Sequence, residues 1–134
     1  MLITREIDYA LRILRALSGG QLRSIPQICQ EEQIPKQFAY KILKKLSNAK
    51  LVQVTRGTTG GCRLSADLAQ LTLFDVISAA GEDRLVNACT DCSFQCERRE
   101  QLDGGCSIHR SLSEIQLRLD GLLKEYTLDT LLSK

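Results

Sequence analysis

Between Ile34 and Ala66 the chain carries seven lysines and arginines and no acidic residue, and within this block its hydrophobic pattern changes period. From Pro35 to about Ala49 the apolar residues Phe38, Ala39, Ile42, Leu43 and Leu46 recur at helical spacing, the stripe of a helix buried along one side. From Leu51 to Thr55 apolar and polar residues alternate, as in a strand. Arg56–Gly61 then holds three glycines in six residues, which marks a turn, and Cys62–Leu64 reads as a returning strand. A basic helix followed at once by a short hairpin leaves few folds open.

The residues upstream narrow the choice. Thr4 is placed to cap a first helix running to about Ser18, with Ile7, Ala10, Leu11, Leu14 and Leu17 as its apolar stripe and Gly19–Gly20 as its stop. Ser24 caps a short second helix that tolerates Pro26 in its first turn and faces Ile25, Ile28 and Cys29 inward. Gln33–Pro35 turns into the third helix, where Pro35 suits the first helical position. Two short helices joined by a tight turn, the second basic outside, describe a helix-turn-helix with its recognition helix. Lys36, Gln37, Tyr40 and Lys41 lie near its start, where side chains reach base edges; Lys44, Lys45 and Lys50 lie further along, where phosphates are met. The hairpin is then a wing, with Arg56 placed to enter a minor groove and Thr58 and Arg63 beside it. A merely solvated basic face would have acids interspersed. A nucleotide-phosphate loop would need a lysine–serine pair and a helix after the glycines.

Charge is split along the chain. Residues 1–70 hold eleven basic and five acidic residues, whereas residues 71–134 hold seven and eleven. The basic half is the one with the helix-turn-helix pattern, which fits a nucleic-acid surface. An apolar fraction of 43% in 134 residues is enough for one domain core without help from a metal. Charges near Met1 stand where a secretory signal would be apolar, and no apolar run reaches membrane-spanning length. The expected setting is cytoplasmic, with thiols reduced.

Beyond a fourth helix capped by Thr72, with Asp75 three residues later, the pattern fades until Cys106. Four of the six cysteines and the single histidine crowd into Cys89–His109. A long irregular segment inside a small domain is uncommon unless functional. A disulfide knot, a zinc site or an iron–sulfur cluster would each explain it, and a reducing setting disfavours the first. The Cys89 and Cys92 pair has zinc-knuckle spacing, and Cys96, Cys106 or His109 would complete four ligands. Cys29 and Cys62 read instead as small buried hydrophobes. After the segment, Ile108, Leu112, Ile115, Leu119 and Leu122 recur at alternating steps of four and three, a short coiled-coil seam suited to a symmetric dimer.

Taken together, these residues resemble the Rrf-type (BadM-like) winged-helix transcription regulators over essentially the whole chain. The resemblance is carried by Asp8 to Arg12, Ile34 and Pro35, Lys44 to Leu46, Leu51 and Val52, Arg56 and Gly57 with Gly60 and Gly61, Asp75 to Ala79, and Cys106 to His109. It implies a dimeric repressor that binds a near-palindromic operator in double-stranded DNA through an iron–sulfur cluster-dependent switch sensing iron, redox state or nitric oxide. In cluster-binding members three loop cysteines hold the cluster, by position Cys89, Cys96 and Cys106. The gaps here are wider than usual, and Cys92 lies inside the first, so either Cys89 or Cys92 is the first ligand. Some members complete the shell with a histidine matching His109, as in two-iron clusters. Others use a first-helix aspartate of the partner subunit, matching Asp8, as in four-iron clusters. Members without a cluster lack these cysteines.

The expected architecture is mainly α with a small β-hairpin wing. It comprises a winged helix-turn-helix domain (1–80), a cysteine-rich cluster-binding segment (81–106) and a dimerisation helix with its tail (107–134). Zinc- or thiol-based regulation is the alternative, followed by a small iron–sulfur redox protein that leaves DNA alone. The latter would have no use for the acid-free block. One histidine, with no catalytic constellation or cofactor fingerprint, argues against an enzyme.

Overall fold

In the computed structural model, which describes residues 2–133, the chain is mostly helical with one two-stranded antiparallel sheet. Helix α1 (Arg5–Ala16) begins where the Thr4 hydroxyl accepts the Ile7 amide proton, and α2 (Ile25–Glu32) begins where the Ser24 hydroxyl accepts that of Gln27. Gln33 closes α2 in the left-handed region at φ 54°. Pro35 is extended at ψ 133° and so stands just before α3 (Lys36–Asn48), not at its first position. Strands β1 (Val52–Thr55) and β2 (Gly61–Leu64) form the wing, pairing Val52 with Leu64 through Thr55 with Gly61.

One core unites these elements. Ala10, Ile13, Leu14 and Leu17 of α1, Ile28 of α2, and Ala39, Ile42, Leu43 and Leu46 of α3 are buried together with Val52 and Cys62 of the wing. The wing is also tied to the entrance of α2: the Arg23 amide donates to the Cys62 carbonyl at 2.9 Å, and the Cys62 amide donates back at 2.8 Å. This close approach explains Gly61, where a Cβ would stand 2.2 Å from the Arg23 carbonyl oxygen. Gly60 is required likewise, with a Cβ 2.2 Å from the Thr55 oxygen. Two of the three wing glycines therefore answer to internal packing.

Helix α4 (Leu73–Ala79) opens with a full capping box between Thr72 and Asp75. The cysteine segment is more ordered than its sequence pattern suggests: a 3-10 turn at Ala88–Thr90 and a single helical turn, α5 (Glu97–Glu100), interrupt it. Gly104 and Gly105, both at positive φ, then lead into α6 (Ser107–Glu125). Helix α6 lays Leu123 and Leu119 against Ile7 of α1 and Ile77 of α4. On its other flank Ile108, Ile115 and Leu122 are 67%, 51% and 49% exposed.

The chain then turns back. Helix α7 (Leu128–Leu132) inserts the fully buried Leu128 into the winged-helix core, with Leu132 packed beside it. The Leu128 amide donates to the Leu71 carbonyl at 2.8 Å, and the Leu73 amide donates to that of Tyr126 at 2.9 Å. No helix among the described residues is long and apolar enough to cross a membrane.

Candidate nucleic-acid interface and cysteine segment

Burial of Ala39, Ile42, Leu43 and Leu46 turns the opposite side of α3 outward, and this side carries the basic residues. Lys36, Gln37, Tyr40, Lys41 and Lys44 are exposed; Lys45 is half-buried. Tyr40 and Lys44 line an open cleft of about 890 Å³ whose far wall is the wing residues Thr55, Arg56, Gly57 and Thr58. Ser24 and Pro26 at the start of α2 close its end. Arg56 and Thr58 are exposed at the wing tip, and Arg63 on β2 donates to the Gln53 side chain at 3.0 Å. Lys50 follows α3 in the left-handed region at φ 62°.

The lysines of α3 are not equivalent. Lys41 and Lys45 both pair with Glu6 of α1, and Lys45 also donates to the Ala80 carbonyl at 2.7 Å. Paired so, the Glu6 carboxyl is held below the ordinary carboxylate range, first by its bond to Lys41 and then by that to Lys45. Lys45 therefore joins the recognition helix to the end of α4, one residue before the cysteine segment starts. Sequence reasoning missed this role, because the partners are 39 and 35 residues away.

All six cysteines are unpaired. Cys29 and Cys62 lie in the core, and desolvation pushes both thiols up, Cys62 to about 11. Such thiols are poor nucleophiles and poor ligands. Cys89, Cys96 and Cys106 are half-buried on turns outside the core, and Cys92 is exposed. His109 lies one helical turn beyond Cys106 on α6, beside a cavity of about 280 Å³ lined also by Arg99, Gly104 and Arg110. Its Nε2 makes a long contact of 3.4 Å with the Arg99 guanidinium, and its buried Nδ1 has no partner. Arginine only donates, so a neutral ring that accepts from it places its proton on Nδ1. That buried donor then has nothing to bond, and such groups call for an explanation. Asp8 sits between Arg5 and Arg12, at 3.2 and 3.1 Å.

Among the described residues, no three cysteine, histidine or acidic side chains stand close enough to hold one metal ion. The donors nonetheless fit a thiolate-held metal or cluster in their chemistry: four unpaired thiols outside the core and an imidazole with an orphaned nitrogen. Ligand binding of this kind is coupled to ordering of the residues that supply the ligands.

The first half of the segment is held by a residue that sequence reasoning passed over. Gln116, the one buried polar side chain recorded among the described residues, reaches from α6 to the backbone at Arg84 and Val86. Its position in a helix of mixed polarity gives no signal of burial. Arg84 beside it stacks on the Phe74 ring at 4.2 Å and approaches Asp120 at 3.6 Å.

Residues 3–134 match the family described as Rrf2, "Iron-dependent Transcriptional regulator". The chain is 33% identical to Protein aau3 of Rhizobium meliloti (strain 1021) over 98% of its own length and 84% of that protein. It is 28% identical to the HTH-type transcriptional regulator NsrR of Bacillus subtilis (strain 168), over 96% of this chain and 88% of the other. Among solved structures, CymR (YrzC), the global cysteine regulator of B. subtilis, superimposes with a TM-score of 0.73 at 21% identity, covering 98% of this chain and 96% of that one. The helix-turn-helix, wing and long helix thus belong to a shared winged-helix fold, and the chain is a transcriptional regulator of the Rrf2 family.

Proposed function

We propose that the protein is a homodimeric repressor whose grip on a near-palindromic operator depends on an iron–sulfur cluster held by the cysteine segment. The observation that carries the cluster is the set of four unpaired thiols outside the core, with His109 one helical turn from Cys106 and free to ligate once its partnerless Nδ1 releases its proton. Cys96, Cys106 and one of Cys89 and Cys92 would hold it, with His109 or Asp8 of a second copy as fourth ligand. When bound, such a cluster supplies sensitivity to iron supply, oxidants or nitric oxide.

The protein's own residues supply the rest. Residues 1–80 read DNA: Lys36, Gln37 and Tyr40 toward base edges, Lys44 toward phosphate, and Arg56, Thr58 and Arg63 from the wing. Lys41 and Lys45 reach DNA only to the extent that Glu6 releases them. Residues 107–134 pair two copies along the exposed Ile108, Ile115 and Leu122 flank, with α7 closing back on the reader. Residues 81–106 lie between the two. Reordering them would move Ala80 and Lys45, and so the spacing of paired recognition helices, which must fit successive major grooves about 34 Å apart.

Anaerobic purification followed by iron and sulfide analysis, absorption spectroscopy and DNA binding at matched salt tests this reading. Iron with sulfide, visible absorption and unequal operator affinity of loaded and metal-free protein are expected. Colourless, iron-free protein sinks the cluster, and equal affinities sink the switch. A second reading, a zinc- or thiol-based regulator, is favoured in its thiol form by the ungathered donors and the exposed Cys92 thiol. The structural neighbour CymR is itself named for cysteine. Zinc in place of iron, or a reversible disulfide at Cys92, would support it.

A further inference from the structure

We infer that Gln116 is the positioning residue of the cysteine segment: it fixes the turn that carries Cys89 and so makes Cys89, not Cys92, the segment's first ligand. The ligand assignment rests on the cluster reading above; the positioning does not. Gln116 Oε1 accepts the Val86 amide proton at 2.8 Å and stands 3.5 Å from the Thr90 hydroxyl. Its Nε2 donates to the Arg84 carbonyl at 3.2 Å and to Asp120 Oδ1 at 2.9 Å. The amide is oriented without ambiguity, because a backbone N–H can only donate and a carbonyl can only accept. One side chain thus holds the backbone on both sides of Leu85 against α6.

From there the chain is fixed in short steps. The Asn87 side chain accepts from the Cys89 amide at 3.0 Å, and the Thr90 hydroxyl donates to the Asn87 carbonyl at 2.7 Å. These bonds make the 3-10 turn Ala88–Thr90, which neighbours α6, with a half-buried Cys89 at its centre. Cys92 lies beyond that turn. It is exposed, on a bend held by bonds within the segment, from Ser93 and the Phe94 amide to Asp91 and from Arg99 to the Phe94 carbonyl, none of them reaching α6. A ligand held before its metal arrives loses less freedom on binding than one on a free bend.

The test uses metal-free, reduced, full-length protein and iodoacetamide, with alkylation followed cysteine by cysteine by mass spectrometry. Cys89 should react more slowly than Cys92. Replacing Gln116→Ala should raise the Cys89 rate at least about threefold, by opening its turn locally, and leave Cys96 and Cys106 unchanged. Should that variant fold poorly, Asn87→Ala, at an exposed position, should give the same selective rise. Unchanged Cys89 rates in both variants, or an equal rise at all four cysteines, overturn the positioning role. Reconstitution with iron and sulfide reads the ligand assignment: Cys92→Ser should keep the visible absorption and Cys89→Ser should lose it. The reverse result overturns the assignment. If the wild-type chain takes up no iron at all, the cluster reading falls, while the alkylation pattern still decides what Gln116 does.

Discussion

The six cysteines divide between two regions built on opposite principles. Cys29 and Cys62 sit in the winged-helix core, where burial leaves their thiols protonated and sealed. Cys89, Cys92, Cys96 and Cys106 stand on turns held by a few polar bonds and reachable from solvent. Apolar burial fixes the first region; single hydrogen bonds such as those of Gln116 fix the second. The same residue type is therefore packing material in one place and available chemistry in the other.

Mutations can break or sharpen this contrast. The largest effect is expected from Leu128→Ala: a fully buried leucine removed from a shared core should cost about 2–5 kcal/mol in denaturant unfolding. The matching change in the segment, Phe94→Ala at an exposed position, should stay within about 0.5 kcal/mol. Equal costs would erase the distinction. Next, Cys62→Ser places a hydroxyl where the thiol is fully buried and should cost about 1–3 kcal/mol, whereas Cys92→Ser should be nearly neutral. On the DNA side, Arg56→Ala should lower the salt dependence of operator binding by about one unit of slope if it meets a phosphate. If it reads the minor groove instead, sequence preference should change more than slope.

The smallest effect concerns Glu6. Its carboxyl titrates lower in the folded state than in the unfolded chain, so its stabilisation is full above the unfolded value. That contribution, at most about 1 kcal/mol for a pair of this exposure, is lost as pH falls through the folded value. Glu6→Gln should flatten this acid-side loss and, by freeing Lys41 and Lys45, tighten non-specific DNA binding. Unchanged DNA binding would mean that the lysines serve the fold alone.

Most of the reader was legible because its signals are local. Thr4, Ser24 and the Thr72–Asp75 pair cap where side-chain chemistry says they should, and the apolar stripes of α1 and α3 are buried at helical spacing. What escaped depends on distant partners. Five residues of α7 are too few to show a period, and Leu128 is explained only by the Leu71 carbonyl and the core it enters. Arg23 gives no sign of its bridge to Cys62, so Gly61 reads as a turn residue alone, although packing against that bridge already demands it. Lys45 looked like any lysine on a basic helix. In the cysteine segment the thiols were plain, but their scaffold rests on Gln116, whose composition and spacing are those of a solvated residue.

The return of residues 126–132 to the core also bears on how the protein is made. Chains fold from the amino end as they emerge from the ribosome, yet the winged-helix core lacks Leu128 until the cysteine segment and the long helix have been synthesised. The reader is therefore completed only after the cysteine segment and the long helix have appeared. A nascent chain would expose the Leu128 niche throughout that interval.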